Sequence, residues 1–174
     1  MTFKTLALAS TSFVLSASLF AQATPGPGMG QGLYEQQGAN SCLYCHGVEG
    51  YNGKVAASAN LSQPKTWKGY KGLGGDAAYK KNPEEFVKKL KEKTLALIIN
   101  GAAIHNGQLK DKYPNFDIKA AGGTYNAQML GLAGSPSVAW LKKYKDRGVT
   151  KEIAAEASWI YMATKLDKQG ILKP

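Results

Sequence analysis

Cysteine and histidine are scarce in this chain, with two of each in 174 residues. Two thiols cannot supply the four ligands of an ordinary structural zinc site. Nor can they build the disulfide framework on which small secreted scaffolds depend. Acidic side chains are also few, 12 against 22 Lys and Arg, which leaves a formal charge of +10. That balance suits an acidic partner and salt-sensitive association. The lysines are spread along the chain without an aromatic RNA-binding signature, so nucleic acid is not indicated. Internal repeats, sustained β-alternation and a phosphate-cradling glycine motif are all missing.

What is present is concentrated. Both cysteines and one histidine fall in the stretch Cys42, Leu43, Tyr44, Cys45, His46. The pattern C-x-x-C-H is that of covalent haem attachment. Two thiols three positions apart can each add across a vinyl group of one porphyrin, and the adjoining His46 then faces the iron as an axial ligand. Haem c, one per chain, is the expected cofactor, held by Cys42 and Cys45 and ligated by His46. Competing readings fare worse. Zinc lacks ligands. A thioredoxin-type pair needs a strand before it, whereas Gln36–Ser41 is polar and contains Gly38. A structural disulfide would close too short a loop to stabilise much, and it leaves His46 without a role.

The N-terminus reads as a secretory signal peptide: Lys4, an apolar and small-residue run from Thr5 to Phe20, then Ala21, Gln22 and Ala23. Cleavage after Ala23 leaves residues 24–174, a length that suits one domain. The apolar run is too short to span a bilayer comfortably, and no cysteine sits at the cleavage site to carry a lipid. A soluble, periplasmic protein is expected, and export agrees with thioether chemistry.

Along the mature chain, breakers fill residues 24–28, and a short helix is expected over Met29–Gln37, with Gly30 and Gly32 as small residues that would let another helix approach. An irregular stretch containing Pro64, Trp67 and Tyr70 is expected to run on to about Lys81. Asn82, Pro83, Glu84 and Glu85 then form a helix start, and Phe86, Val87, Leu90, Thr94, Leu97 and Ile98 recur at helical spacing until Asn100–Gly101. Residues 102–134 carry no period and read as a long functional loop. Ser135 and Pro136 open a further helix that closes at Gly148. The last helix follows Thr150 and is apolar around most of its circumference, which marks it as buried.

This order of parts resembles the class I mono-haem c-type cytochromes. The resemblance rests on Gly30, Leu33 and Tyr34 in a first helix, the Cys42–His46 motif, Gly47 and Gly50 after it, and an aromatic-rich final helix. It implies a mainly α fold, helices packed around one covalently bound haem with long loop insertions at 51–82 and 106–135. It also implies a crossing of the first and last helices near Gly30 and Tyr161, and a proline carbonyl, that of Pro64, orienting the proximal imidazole.

For the sixth iron ligand the resemblance points to a methionine ahead of the final helices, which Met129 fits. Met162 lies in an apolar helical stripe and reads as core. His105 is the competing ligand, since Asn100-Gly101 followed four residues later by this histidine resembles the Asn-Gly-x-x-x-Met arrangement of many relatives, and an open position is the third possibility. Two strong axial ligands leave no place for substrate, so the resemblance implies an electron carrier rather than an enzyme. Outer-sphere transfer would occur at the haem edge to redox partner proteins with acidic docking surfaces. The alternatives are a permanent haem subunit of a periplasmic dehydrogenase, for example one oxidising a sulfur compound, or a haem protein that binds a small ligand. A two-haem peroxidase is disfavoured by the single motif.

Overall fold

A computed structural model describes residues 23–55, 58–101 and 129–173. The described residues are mainly helical and contain no strand, as the periodicity predicts. Seven α-helices are present among them: α1 Pro27–Tyr34, α2 Cys42–His46, α3 Lys68–Gly72, α4 Gly75–Lys81, α5 Pro83–Asn100, α6 Ser135–Tyr144 and α7 Lys151–Tyr161. The expected signal peptide, residues 1–23, lies outside the described part except for Ala23, as does most of the loop expected at 102–134. No helix among the described residues is long and apolar enough to cross a membrane.

Local sequence sets the ends of the longer helices. The Asn82 side chain accepts from the Glu85 N–H at 3.1 Å, and Pro83 occupies the first turn of α5. Thr150 does the same for α7, accepting from the Ile153 N–H at 3.3 Å. Each cap satisfies a backbone donor that the helix itself leaves unpaired. In α6 the cap position falls to Gly134, and Ser135 is already helical. α1 begins two residues before the expected Met29, because Pro27 is accommodated in its first turn.

The stretch expected to be irregular up to Lys81 is instead largely helical, with a 3-10 turn at Pro64–Thr66 followed by α3 and α4. Glycines at 69, 72, 74 and 75 argue against helix on propensity alone. Tertiary packing overrides them. Tyr70 is buried, with its ring 4.8 Å from Phe86 and 6.2 Å from Tyr79, so α3 and α4 are stapled onto the start of α5 by aromatic contacts.

The frame is built by α1, α5 and α7. α1 crosses α7 at Gly30, where a β-carbon would lie 2.0 Å from the Ala157 carbonyl oxygen and 2.7 Å from the Tyr161 β-carbon. Only glycine permits that approach. One turn on, the rings of Tyr34 and Tyr161 meet with centroids 5.4 Å apart. α7 is buried through Ala154, Ala155, Ala157, Trp159 and Tyr161, and runs on into a π-helical turn, Met162–Leu166, that buries Met162 and Leu166. Two apolar clusters result among the described residues. One gathers Tyr34, Leu61, Trp67, Tyr70, Phe86 and Leu90 with the end of α7. The other gathers Leu33, Leu132, Trp140 and Val149 with the start of α7. Cys42 and Leu43 of α2 pack on the first.

Candidate functional site

The C-x-x-C-H stretch forms α2, and the residues around it explain why so short a helix holds its shape. Ser41, buried, caps it by accepting from the Tyr44 N–H at 3.0 Å. At the other end the Gly47 N–H donates to the Leu43 carbonyl at 2.8 Å, and the buried Tyr34 hydroxyl donates to the Gly47 carbonyl at 2.6 Å. Burial holds the Tyr34 phenol well above its usual range, with Cys42 nearby adding to the effect, so the group stays a donor. Gly47 has φ +81, and a β-carbon there would sit 2.1 Å from the Tyr51 carbonyl oxygen. The chain therefore turns sharply back beneath α2, and Lys54 N–H reaches the Tyr44 carbonyl at 2.8 Å.

Cys42 and Cys45 are both free, half-buried thiols on this one turn. Desolvation pushes the Cys42 thiol up to about 11, with Cys45 adding to the rise, and burial raises Cys45 as well. Reactive dithiol pairs have the opposite character, a thiol pKa lowered by positive surroundings. No group of three or more His, Cys, Asp or Glu side chains among the described residues could hold a metal ion. The two thiols and the imidazole are thus not gathered around one ion-sized point.

His46 Nδ1 lies 2.8 Å from the carbonyl oxygen of Ala59. A carbonyl only accepts, so the proton sits on Nδ1 and the lone pair on Nε2. Burial lowers the pKa of the ring, the hydrogen bond to Ala59 opposing it, so the ring is neutral at pH 7. A neutral imidazole with Nδ1–H anchored on a backbone carbonyl is the form in which histidine ligates metals through Nε2.

The orienting carbonyl belongs to Ala59 and not to Pro64, which corrects the sequence-based assignment. Pro64 opens the 3-10 turn, and its carbonyl accepts the Trp67 N–H at 2.9 Å. Nothing in the sequence marks a backbone oxygen, so Ala59 had no signal; nor did the Tyr34 contact to Gly47.

Met129 sits at the edge of the described residues, half-buried, where its carbonyl oxygen would be 2.5 Å from a β-carbon on Gly101. It thus lies beside the C-terminal end of α5. Just beyond it, Gly134 approaches Asn40: a β-carbon on Gly134 would be 3.2 Å from the Asn40 carbonyl oxygen, two residues before Cys42. Met162 is core, as its helical stripe predicts. His105 lies outside the described residues.

Beside α2 a groove of about 280 Å³ is lined by Gln36, Leu43, Tyr44, Gly47, Val48 and Lys54, among others. Two of its apolar members are exposed, Val48 by 73% and Tyr44 by 42%. Compared with known proteins, the chain matches no family model, no curated protein and no solved structure.

Proposed function

We propose that the chain is a periplasmic, single-haem c-type cytochrome that carries electrons, with the haem held covalently by Cys42 and Cys45 and its iron ligated by His46. The observation that carries this reading is the anchoring of His46 Nδ1 on the Ala59 carbonyl, next to two free thiols on the same turn. The residues fit the group. Two unpaired thiols on one helical face suit two thioether bonds, Nε2 is left with its lone pair, and Cys42 and Leu43 border an apolar cluster rich in aromatic rings.

Bound haem supplies a one-electron couple; the chain supplies the rest. Tyr34, Ser41 and Ala59 hold α2 and His46 rigid, which lowers the rearrangement that accompanies electron transfer. Met129 is proposed as the sixth ligand, with His105 its competitor, on the strength of its place beside the end of α5. Exposed Tyr44 and Val48 offer a small apolar contact at the motif, and the excess of lysine offers long-range attraction to an acidic partner. Small, weak interfaces are the norm for such encounters.

Expression with export and a haem-attachment system, followed by haem staining of a denaturing gel, tests the reading. The wild-type band should stain; Cys42→Ala and Cys45→Ala should each lose most of the stain. A mature protein that accumulates folded and colourless would overturn it.

A further inference from the structure

The carbonyl that orients His46 belongs to a residue whose own side chain is exposed, on a loop with no regular structure. Something must hold it. The next peptide group, Asn60–Leu61, is pinned at both ends. Its carbonyl oxygen accepts the Trp67 indole N–H at 2.7 Å and the Gln63 N–H at 3.2 Å, while its N–H donates to the Gly50 carbonyl at 2.7 Å. The Asn60 side chain is occupied locally, accepting from the Ser62 N–H at 3.0 Å and the Ser62 hydroxyl at 2.7 Å. Between the pinned peptide and the Ala59 carbonyl only the two backbone torsions of Asn60 remain. Trp67 itself is buried in the aromatic cluster, so its N–H is a fixed point, and a buried indole donor aimed at a carbonyl is costly to leave unpaired.

We propose that Trp67 is a positioning residue for His46: through Asn60 its indole N–H fixes the direction of the Ala59 carbonyl, and so the tautomer and ring orientation of the imidazole. Its redox consequence rests on the haem reading above; the positioning itself does not. Partners that orient a ligating histidine tune its basicity as strongly as they fix its geometry.

The test uses the full-length protein with two variants. Trp67→Phe removes the donor, and Phe86→Leu reduces bulk in the same cluster without touching any hydrogen bond of the loop. Solvent exchange of the His46 Nδ1 proton, read by NMR, should quicken about tenfold in Trp67→Phe, the factor that loss of one net hydrogen bond implies. The reduction potential should rise, because a ring that donates a weaker Nδ1 hydrogen bond supports ferric iron less well. Phe86→Leu should lower stability and leave both readings at the wild-type values. An unchanged exchange rate and potential in Trp67→Phe, or equal changes in both variants, would overturn the proposal.

Should Trp67→Phe fail to fold, the wild-type protein still decides. In graded urea the Trp67 indole proton and the His46 Nδ1 proton should become exchangeable in one step. A His46 proton that stays protected after the indole proton has exchanged overturns the proposal. If the chain accumulates folded without haem, the haem reading fails, and the same exchange comparison on that protein settles the role of Trp67.

Discussion

The Nδ1 of His46 and the carbonyl oxygen of Ala59 stand 2.8 Å apart, and that one contact fixes which nitrogen of the ring is available to a metal. It ties the end of α2 to one of two loops that the helix alone could not align. The first, at Gly47–Lys54, folds under the helix, and the second is tied to it by the Leu61 N–H at the Gly50 carbonyl, 2.7 Å. The C-terminal segment then clamps the second loop: the Lys168 N–H donates to the Ser62 carbonyl, and the Gln169 side chain accepts from the Lys65 N–H, each at 3.0 Å.

Gly30 and Gly32 of α1 should behave oppositely. At Gly30 a β-carbon would collide with backbone of α7, whereas at Gly32 the nearest atom is the Trp140 indole nitrogen at 3.8 Å, an ordinary contact. Gly30→Ala is expected to lower the free energy of unfolding by about 2–3 kcal/mol through overpacking. Gly32→Ala is expected to be neutral or to add up to about 1 kcal/mol by relieving helix entropy. Urea unfolding of both variants checks the pair, and equal effects would mean that the helix crossing is misplaced.

Stability should depend on pH through Asp76. The Tyr70 hydroxyl donates to its carboxylate at 2.7 Å and the Lys65 ammonium lies 3.1 Å away, and these two hydrogen bonds, that of Tyr70 first, hold its pKa below the ordinary value of 3.8. The unfolded chain therefore binds the proton more readily than the folded one, so this contribution is fully present above the ordinary value and is lost as pH falls through the folded one. Asp76→Asn should flatten the acid limb of a plot of urea midpoint against pH by bringing the neutral end down toward the acid one, a small change because the Lys65–Asp76 pair is exposed. A limb as steep as wild type would remove Asp76 from this role.

If the chain carries haem as proposed, a pair of variants in the holoprotein checks the sixth ligand. Met129→Ala should abolish the red charge-transfer band of methionine-ligated ferric haem and lower the potential, since a thioether favours ferrous iron. His105→Ala should leave both nearly unchanged. The reverse pattern would make the protein a bis-histidine cytochrome.

Docking charge should reside on the end of α6 more than on α5. Lys89 pairs with Glu85 and Lys91 with Glu156, so part of the α5 charge is neutralised in place. At the end of α6, Lys143 and Arg147 instead lie over the Tyr144 ring, at 5.6 and 5.3 Å from its centroid, and Lys142 and Lys145 are exposed beside them. Reversing Lys142, Lys143, Lys145 and Arg147 together should slow association with an acidic redox partner about tenfold or more at low salt and flatten the salt dependence. Stopped-flow rates that match wild type would return these side chains to the ordinary solvated surface.

Short-range chemistry was legible from residue order. The Asn82-Pro83-Glu84-Glu85 start of α5, the Thr150 cap of α7 and the apolar wrap of α7 need only neighbours in sequence, and the structure has them as the pattern predicts. The motif at Cys42–His46 is of the same kind, since one helical turn is all that sets its spacing. What long-range packing decides was not legible. Gly30 and Gly32 look alike in the chain, and only the position of the Ala157 carbonyl separates them. The glycine-rich stretch from Gly69 to Gly75 reads as loop until Tyr70 and Tyr79 find Phe86. The proline expected to orient His46 lies in the right loop, but its carbonyl is spent on Trp67, and the oxygen that reaches the ring belongs to Ala59. A backbone carbonyl has no letter of its own in the sequence; its direction comes from the torsions of a loop that a distant indole and the C-terminal tail hold in place.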